Sequence, residues 1–170
     1  MTTLVAYSSR TGNTRKLAAA IAQAIPGRVE IHPVEQAPRP ERYDLLVLGV
    51  WAEYGQPDTQ SQRYMQPLNN RRVAVFATMG GDPHSSHGEQ FKAAILHSLE
   101  GNCVELVHLC QGRIDPRELE RVLFTSPQWR DDRPVTLEQW TRIAEARNHP
   151  NEDDLAEAQE RFRSLGMQPA

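Results

Sequence analysis

The stretch "SSRTGNTRK" (residues 8–16) lies between an apolar run, "TLVAY" (3–7), and a helix-patterned segment, "LAAAIAQAI" (17–25). It holds four hydroxyl side chains (Ser8, Ser9, Thr11, Thr14), one glycine and no acidic residue. Backbone N–H groups in the first turn of a helix lack internal partners, and the helix dipole adds partial positive charge there. An anion is therefore favoured at this point, and phosphate suits it. Ser9, Thr11 and Thr14 can donate hydroxyl hydrogens to phosphate oxygens, while Gly12 allows close backbone approach. An ordinary capped helix start is the competing reading, because Ser and Thr are common there. A nucleotide triphosphatase needs G-x-x-x-x-G-K-[ST] and a dinucleotide fold needs G-x-G-x-x-G, and neither stands here. A response-regulator receiver carries acids at the end of its first strand, where this chain has Tyr7-Ser8-Ser9.

Outward from this loop, β-rich runs alternate with helical patterns, which predicts a parallel sheet with crossover helices. "RVEIH" (28–32) alternates apolar and charged residues, as an edge strand does. "DLLVLGV" (44–50) and "RVAVFAT" (72–78) are continuously apolar, as strands buried on both faces are. "CVELVHLC" (103–110) is a fifth strand and "EQFKAAILHSL" (89–99) an amphipathic helix. Asp115-Pro116-Arg117-Glu118 is a capping box opening a helix to about Phe124. Thr136 with Gln139 makes another, for a helix near 136–147. Asn151 opens a last helix, whose Leu155, Ala158, Phe162 and Leu165 form an apolar stripe expected to pack on the sheet. The expected fold class is an open α/β sandwich of one domain, residues 1–170, with a five-stranded parallel sheet and extra C-terminal helices.

Bulk properties narrow the function. The 170 residues carry a formal net charge of −3 without basic clusters, which argues against nucleic acid as the main ligand. No apolar stretch reaches the ~18–20 residues of a membrane span. "MTTLVAYSSR" lacks the charged start and long apolar run of a secretory leader. Cys103 and Cys110 are separated by an odd offset in one strand, so they are expected on opposite faces and unpaired. A reducing, cytoplasmic setting is the resulting expectation.

Open α/β sheets bind ligands beyond the carboxyl ends of their strands. Three loops leave those ends here: 8–13, 51–57 and 79–88. In the last, His84 and His87 beside Asp82 lack a further metal ligand, so no metal is expected.

"SSRTGNT" resembles the phosphate loop of the flavodoxins, [ST]-x-T-G-x-T, with Ser9, Arg10, Thr11, Gly12, Asn13 and Thr14 at its six positions. The resemblance implies strand order 2-1-3-4-5 and FMN as cofactor, its phosphate in this loop. It also implies an aromatic after the third strand against the flavin ring, which Trp51 matches, with Tyr54 as a second aromatic in "WAEYGQPD" beside Ala52 and Gly55. The family's third loop corresponds to Thr78, Met79, Gly80, Gly81 and Asp82, but the Tyr often found there is missing. His84 stands in, or the outer ring face is open. Glu53, Asp58 and Asp82 lie on loops that could place negative charge near the ring.

"GVWAEYGQPD", "ATMGGDPHSSH" and especially "LCQGRIDP" (109–116) resemble a narrower set, the short flavodoxins that accompany bilirubin reductase or anaerobic haem utilisation. The implied function is an electron carrier that passes electrons between reductase partners in tetrapyrrole metabolism. Two alternatives stay open: an FMN-dependent oxidoreductase acting directly on a quinone or tetrapyrrole, and a binding protein that has lost FMN. Oligomeric state is not legible. Arg10, a cation inside the phosphate loop, has no assigned role.

Overall fold

Two hydrophobic layers, one on each face of a twisted parallel sheet, organise the molecule. The computed structural model describes residues 1–114 and 137–166. In chain order the elements are β1 (Thr2–Tyr7), α1 (Asn13–Ala24), β2 (Arg28–Pro33), β3 (Leu45–Glu53), β4 (Gln56–Pro57), α2 (Thr59–Met65), β5 (Arg72–Met79), α3 (Ser86–Ser98), β6 (Cys103–Gln111), α4 (Leu137–Ala146) and α5 (Glu152–Arg163). The long strands run in the order β2-β1-β3-β5-β6, all parallel, and β4 pairs antiparallel with β3. For the five long strands this is the order 2-1-3-4-5 that the resemblance to the flavodoxins implied.

The strand pattern follows from burial. β1, β3 and β5 have side chains covered on both faces, so Leu4, Val5, Leu45, Leu46, Val47, Ala74 and Val75 are fully buried although they alternate in direction. β2 occupies an edge, where Arg28 and Ile31 are exposed and Val29, Glu30 and His32 are half-buried. On one face α2 and α3 contribute Met65, Phe91 and Ile95 to a cluster with Leu46, Leu48 and Val75. On the other, α1 and α5 bring Leu17, Ile21, Ala158 and Phe162 against Val5, Val47 and Phe76.

The last helix is integral to this second layer. Asn151 caps it with a reciprocal capping box to Asp154, as its position in the sequence predicts. Gln159 donates to the Ala20 carbonyl at 3.1 Å, tying α5 to α1. Phe162 meets Phe76 edge to face at 6.1 Å between centroids. Phe76 in turn fills a notch at Gly49, where a Cβ would lie 2.3 Å from its ring. The helix predicted near 136–147 is α4; the one opening at Asp115 lies outside the described residues.

Two expectations need correction. Cys103 and Cys110 were expected on opposite faces, but a register shift in the β5–β6 ladder, between Val73 and Ala74, absorbs one residue of β6. Val104, Val107 and Leu109 consequently share one face, and the odd–even rule fails across the bulge. What separates the two thiols is strand length, about 23 Å for seven residues; both are free, with Cys103 exposed and Cys110 buried. Burial pushes the Cys110 thiol up to about 12, so it stays protonated and unreactive. Second, the loop expected over 51–57 is a continuation of β3 to Glu53 and a hairpin back into β4.

β6 also buries His108 beside Phe162, ring centroids 6.5 Å apart, with no hydrogen-bond partner for Nε2. Burial holds its pKa below the ordinary histidine value; Arg161 lowers it further, while Glu157 and Asp154 oppose the shift. The unfolded chain therefore binds this proton at a higher pH than the folded one. His108 favours folding above the unfolded value of about 6.5, and that contribution is lost as pH falls from there towards the folded pKa. His108→Leu is expected to flatten the decline of unfolding free energy between pH 7 and pH 5, measured by urea denaturation. An unchanged slope would show that the imidazole is not the titrating group.

Candidate functional site

Four strand ends meet at one edge of the sheet. Gly12 caps α1 in a left-handed conformation (φ 94°), and a Cβ there would meet nothing within 4 Å. The opening N–H groups of α1 have no acceptors within the helix itself. Ser9 Oγ accepts the Arg15 N–H at 3.2 Å, and Lys16 N–H closes the first helical bond to the Gly12 carbonyl. Thr14 is buried, with its hydroxyl 2.9 Å from that of Thr78 at the end of β5. Asn13 turns the other way and donates to the Arg113 carbonyl at 2.9 Å. Thr11 and Arg10 are exposed and Ser9 is half-buried.

Trp51 pairs in register with Thr78, so Thr14 and Trp51 are both tied to that one position of β5. The indole is half-buried, and its Nε1–H donates to the buried Ser8 Oγ at 3.3 Å. Ser8 donates onward to Gln60 on α2. The Arg10 guanidinium stands 5.7 Å from the Trp51 ring centroid, a cation–π contact. Arg10 therefore has a structural position that its sequence context did not indicate.

The hairpin beyond Trp51 turns through Tyr54 (φ 52°) and Gly55 (φ 76°), with Glu53 opposite Gln56. Positive φ at both central positions is the turn that matches the strand twist. A tyrosine there carries strain of about 1–2 kcal/mol. Its ring is 81% exposed at the tip of the ribbon. Ala52 sits within the hairpin opposite Pro57.

The acids expected to charge the ring environment are each held in place by hydrogen bonds. Asp58 is buried as the N-cap of α2: Oδ1 accepts from Ser61 N–H at 3.1 Å and Oδ2 from Ser61 Oγ at 2.6 Å. Oδ2 also accepts the Trp51 N–H at 3.3 Å, and the Asp58 N–H returns a bond to the Trp51 carbonyl. Glu53 accepts from the Thr59 N–H and hydroxyl. Asp82 accepts the His84 N–H at 2.8 Å, turning the loop into the Ser85 cap of α3. Asp58→Ala removes three bonds from a buried carboxylate and is expected to cost about 2 kcal/mol of stability by thermal unfolding. A loss within experimental error would mean that α2 is held by its apolar face alone.

Met79, Gly80, Gly81 and Asp82 leave β5, with Met79 buried and Gly81, Asp82 and His84 exposed. A fourth segment, 112–114, joins them. Gly112 N–H donates to the Met79 carbonyl, and Ile114 packs where a Cβ on Gly80 would fall, 2.8 Å away. A Cβ on Gly112 would lie 2.7 Å from the Asn13 amide. This segment is the centre of "LCQGRIDP", so the motif that carried the narrower resemblance also forms one wall of the site. Its role, like those of Ser8 and Gln60, depends on contacts across the fold.

The donor set fits a phosphate and a flat ring. There are hydroxyls and opening N–H groups at α1, no acid in residues 8–16, an anchored indole and an exposed tyrosine. An open parallel sheet with such loops beyond its carboxyl edge defines a flavodoxin-type protein. A family model described as "Flavodoxin domain" matches residues 4–163, and the chain belongs to that family. A curated relative, the "Flavodoxin-like domain-containing protein BilS" of Clostridioides difficile (strain CD3), is 31% identical over 170 residues, spanning 93% of this chain and 92% of that protein. Among solved structures, a flavoprotein in complex with FMN from Lactobacillus acidophilus NCFM aligns with TM-score 0.54 and 19% identity over 71% of this chain and 97% of that one. A flavodoxin from the domain Archaea aligns with TM-score 0.53 and 15% identity over 98% and 97%. These structures share the fold. No helix among the described residues is long and apolar enough to cross a membrane.

Proposed function

We propose that the chain is an FMN-binding electron carrier serving a partner reductase. The cofactor is FMN. The observation that carries the reading is convergence: Thr14, from the first turn of α1, and Trp51, from the end of β3, both meet β5 at Thr78. Ser9, Thr11, Gly12, Asn13 and Thr14 would hold the phosphate. Trp51, with Ala52, Tyr54 and Gly55 on the same ribbon, would flank the ring. Thr78, Met79, Gly80, Gly81, Asp82 and His84 would border its polar edge. When bound, FMN supplies one- and two-electron transfer, and the protein sets affinity and potential. Trp51, held through Ser8, orients the ring against the sheet edge, and the buried layer below keeps water from that side. The missing tyrosine in the third loop leaves the outer face reachable by a partner.

The likeness of "LCQGRIDP" to the short flavodoxins that accompany bilirubin reductase or anaerobic haem utilisation supports a place in bilin or haem metabolism for this carrier. The test is reductive titration of the FMN-loaded protein followed by visible spectroscopy. Accumulation of a one-electron-reduced form, with slow direct reduction by NAD(P)H in stopped flow, is expected of a carrier. Fast direct reduction without that form would make the protein an oxidoreductase in its own right. Failure to take up FMN would sink both.

A further inference from the structure

On the outer side of the α1 N-terminus lies a cleft of about 690 Å³ that shares Thr11, Gly12 and Asn13 with the phosphate loop and extends away from it to Ala19 and residues 147–150. Arg15 and Lys16 enter it from the first turn of α1, Arg113 from the exit of β6, and Arg147 from the turn after α4. No Asp or Glu lines it among the described residues. The chain as a whole carries net charge −3, so this concentration of cations runs against the overall balance. Within the described residues no ion pair or hydrogen bond engages the Arg15, Arg113 or Arg147 guanidinium. This contrasts with Arg28, Arg72, Arg161 and Arg163, which are all salt-bridged.

The walls are stitched together, although the three segments are remote in sequence. Asn13 Nδ2 donates to the Arg113 carbonyl at 2.9 Å, and Arg113 N–H to the His149 carbonyl at 2.8 Å. Lys16 Nζ reaches the Pro150 carbonyl at 2.8 Å. His149 is fixed in turn by Asp154, with Nδ1 2.6 Å from Oδ2. The cations therefore converge on a concavity with a braced frame. Cationic side chains scattered over a flat face would not have this arrangement.

We infer that this cleft is a second anion site, taking a small phosphate-bearing molecule beside the cofactor's phosphate and not in its place. Guanidinium forks match phosphate oxygens two at a time. The volume lies in the range of small-ligand pockets, above what inorganic phosphate alone fills. Distinctness from the flavin site follows from the lining. Thr11, Gly12 and Asn13 are shared, whereas Ser8, Ser9, Thr14, Trp51 and Thr78 do not line the cleft. The word "second" rests on the FMN reading above; the site itself does not.

The experiment titrates pyrophosphate into the FMN-loaded protein by isothermal calorimetry, at low salt and at about 0.15 M, where exposed pairs are screened but a chelated anion persists. Saturable one-to-one binding is expected, weakened about tenfold or more in the Arg15→Gln, Arg147→Gln double variant. FMN affinity of that variant, measured separately by flavin fluorescence, should stay unchanged. Citrate should bind more weakly than pyrophosphate. No saturable binding to the wild type, release of FMN by pyrophosphate, an unaltered double variant or tighter citrate binding would each overturn the inference. If the wild type takes no FMN, the flavin reading has failed, and the same titration on the apoprotein still decides the anion site.

Discussion

Phe162→Ala is expected to lower unfolding free energy by about 3–5 kcal/mol, the usual cost of emptying a buried phenylalanine site. In a domain of this size that is a fall in melting temperature of roughly 10 °C. The reason lies in a chain of contacts across the second layer. Gly49 leaves a notch in β3, Phe76 fills it, and Phe162 closes over Phe76 edge to face. Phe162 is fully buried and also borders His108. Truncating it leaves a cavity that the rigid strand side cannot close, because Val47 and Phe76 are already in contact with their neighbours. The check is thermal and urea unfolding of the apoprotein. A loss below about 1 kcal/mol would mean that α5 docks loosely and that the core ends at α1. The same variant separates stability from site chemistry, since α5 contributes none of the proposed FMN contacts.

The strands were legible in the sequence because continuous apolar runs such as 44–50 and 72–78, too short to span a membrane, have few other uses; their order came only from the resemblance of the phosphate loop. The phosphate loop was legible because its requirements are local: small donors, one glycine, no acid, a strand before and a helix after. The start of α1 was read late, at Leu17 instead of Asn13, because its first turn is polar and carries no hydrophobic period. The hairpin at Tyr54-Gly55 and the helix α2 were missed for a related reason. "TQSQRYM" has little apolar content, and its stability comes from Asp58, whose cap onto Ser61 is local but whose bond from the Trp51 N–H exists only when β3 turns back through the hairpin. Glu53 and Asp58 also accept hydrogen bonds from the start of α2, contacts that their loop position alone does not show. The face assigned to Cys103 failed at a bulge, which leaves no reliable mark in sequence. Contacts between remote segments, such as Asn13 with Arg113 and Arg10 with Trp51, had no local signal at all.

Trp51→Ala is expected to weaken FMN binding by about 2–3 kcal/mol, the range for losing one aromatic stacking surface against a flat ring. That corresponds to roughly 30–150-fold in Kd, measurable by the quenching of flavin fluorescence on titration. Trp51→Phe tests how the loss is divided. It keeps an aromatic face but removes the Nε1–H that donates to Ser8, so the ring is no longer anchored to the β1 loop. Its expected loss is about 1 kcal/mol, that of one modest hydrogen bond. Because Arg10 stands over the indole, removing the ring also removes the surface that holds the guanidinium. The alanine variant should therefore shift the flavin potential as well as its affinity, while the phenylalanine variant should leave the potential nearly unchanged. Unaltered affinity in Trp51→Ala would move the stacking role along the ribbon to Tyr54. Unaltered potential with lost affinity would show that Arg10 exerts no charge effect on the ring from this position.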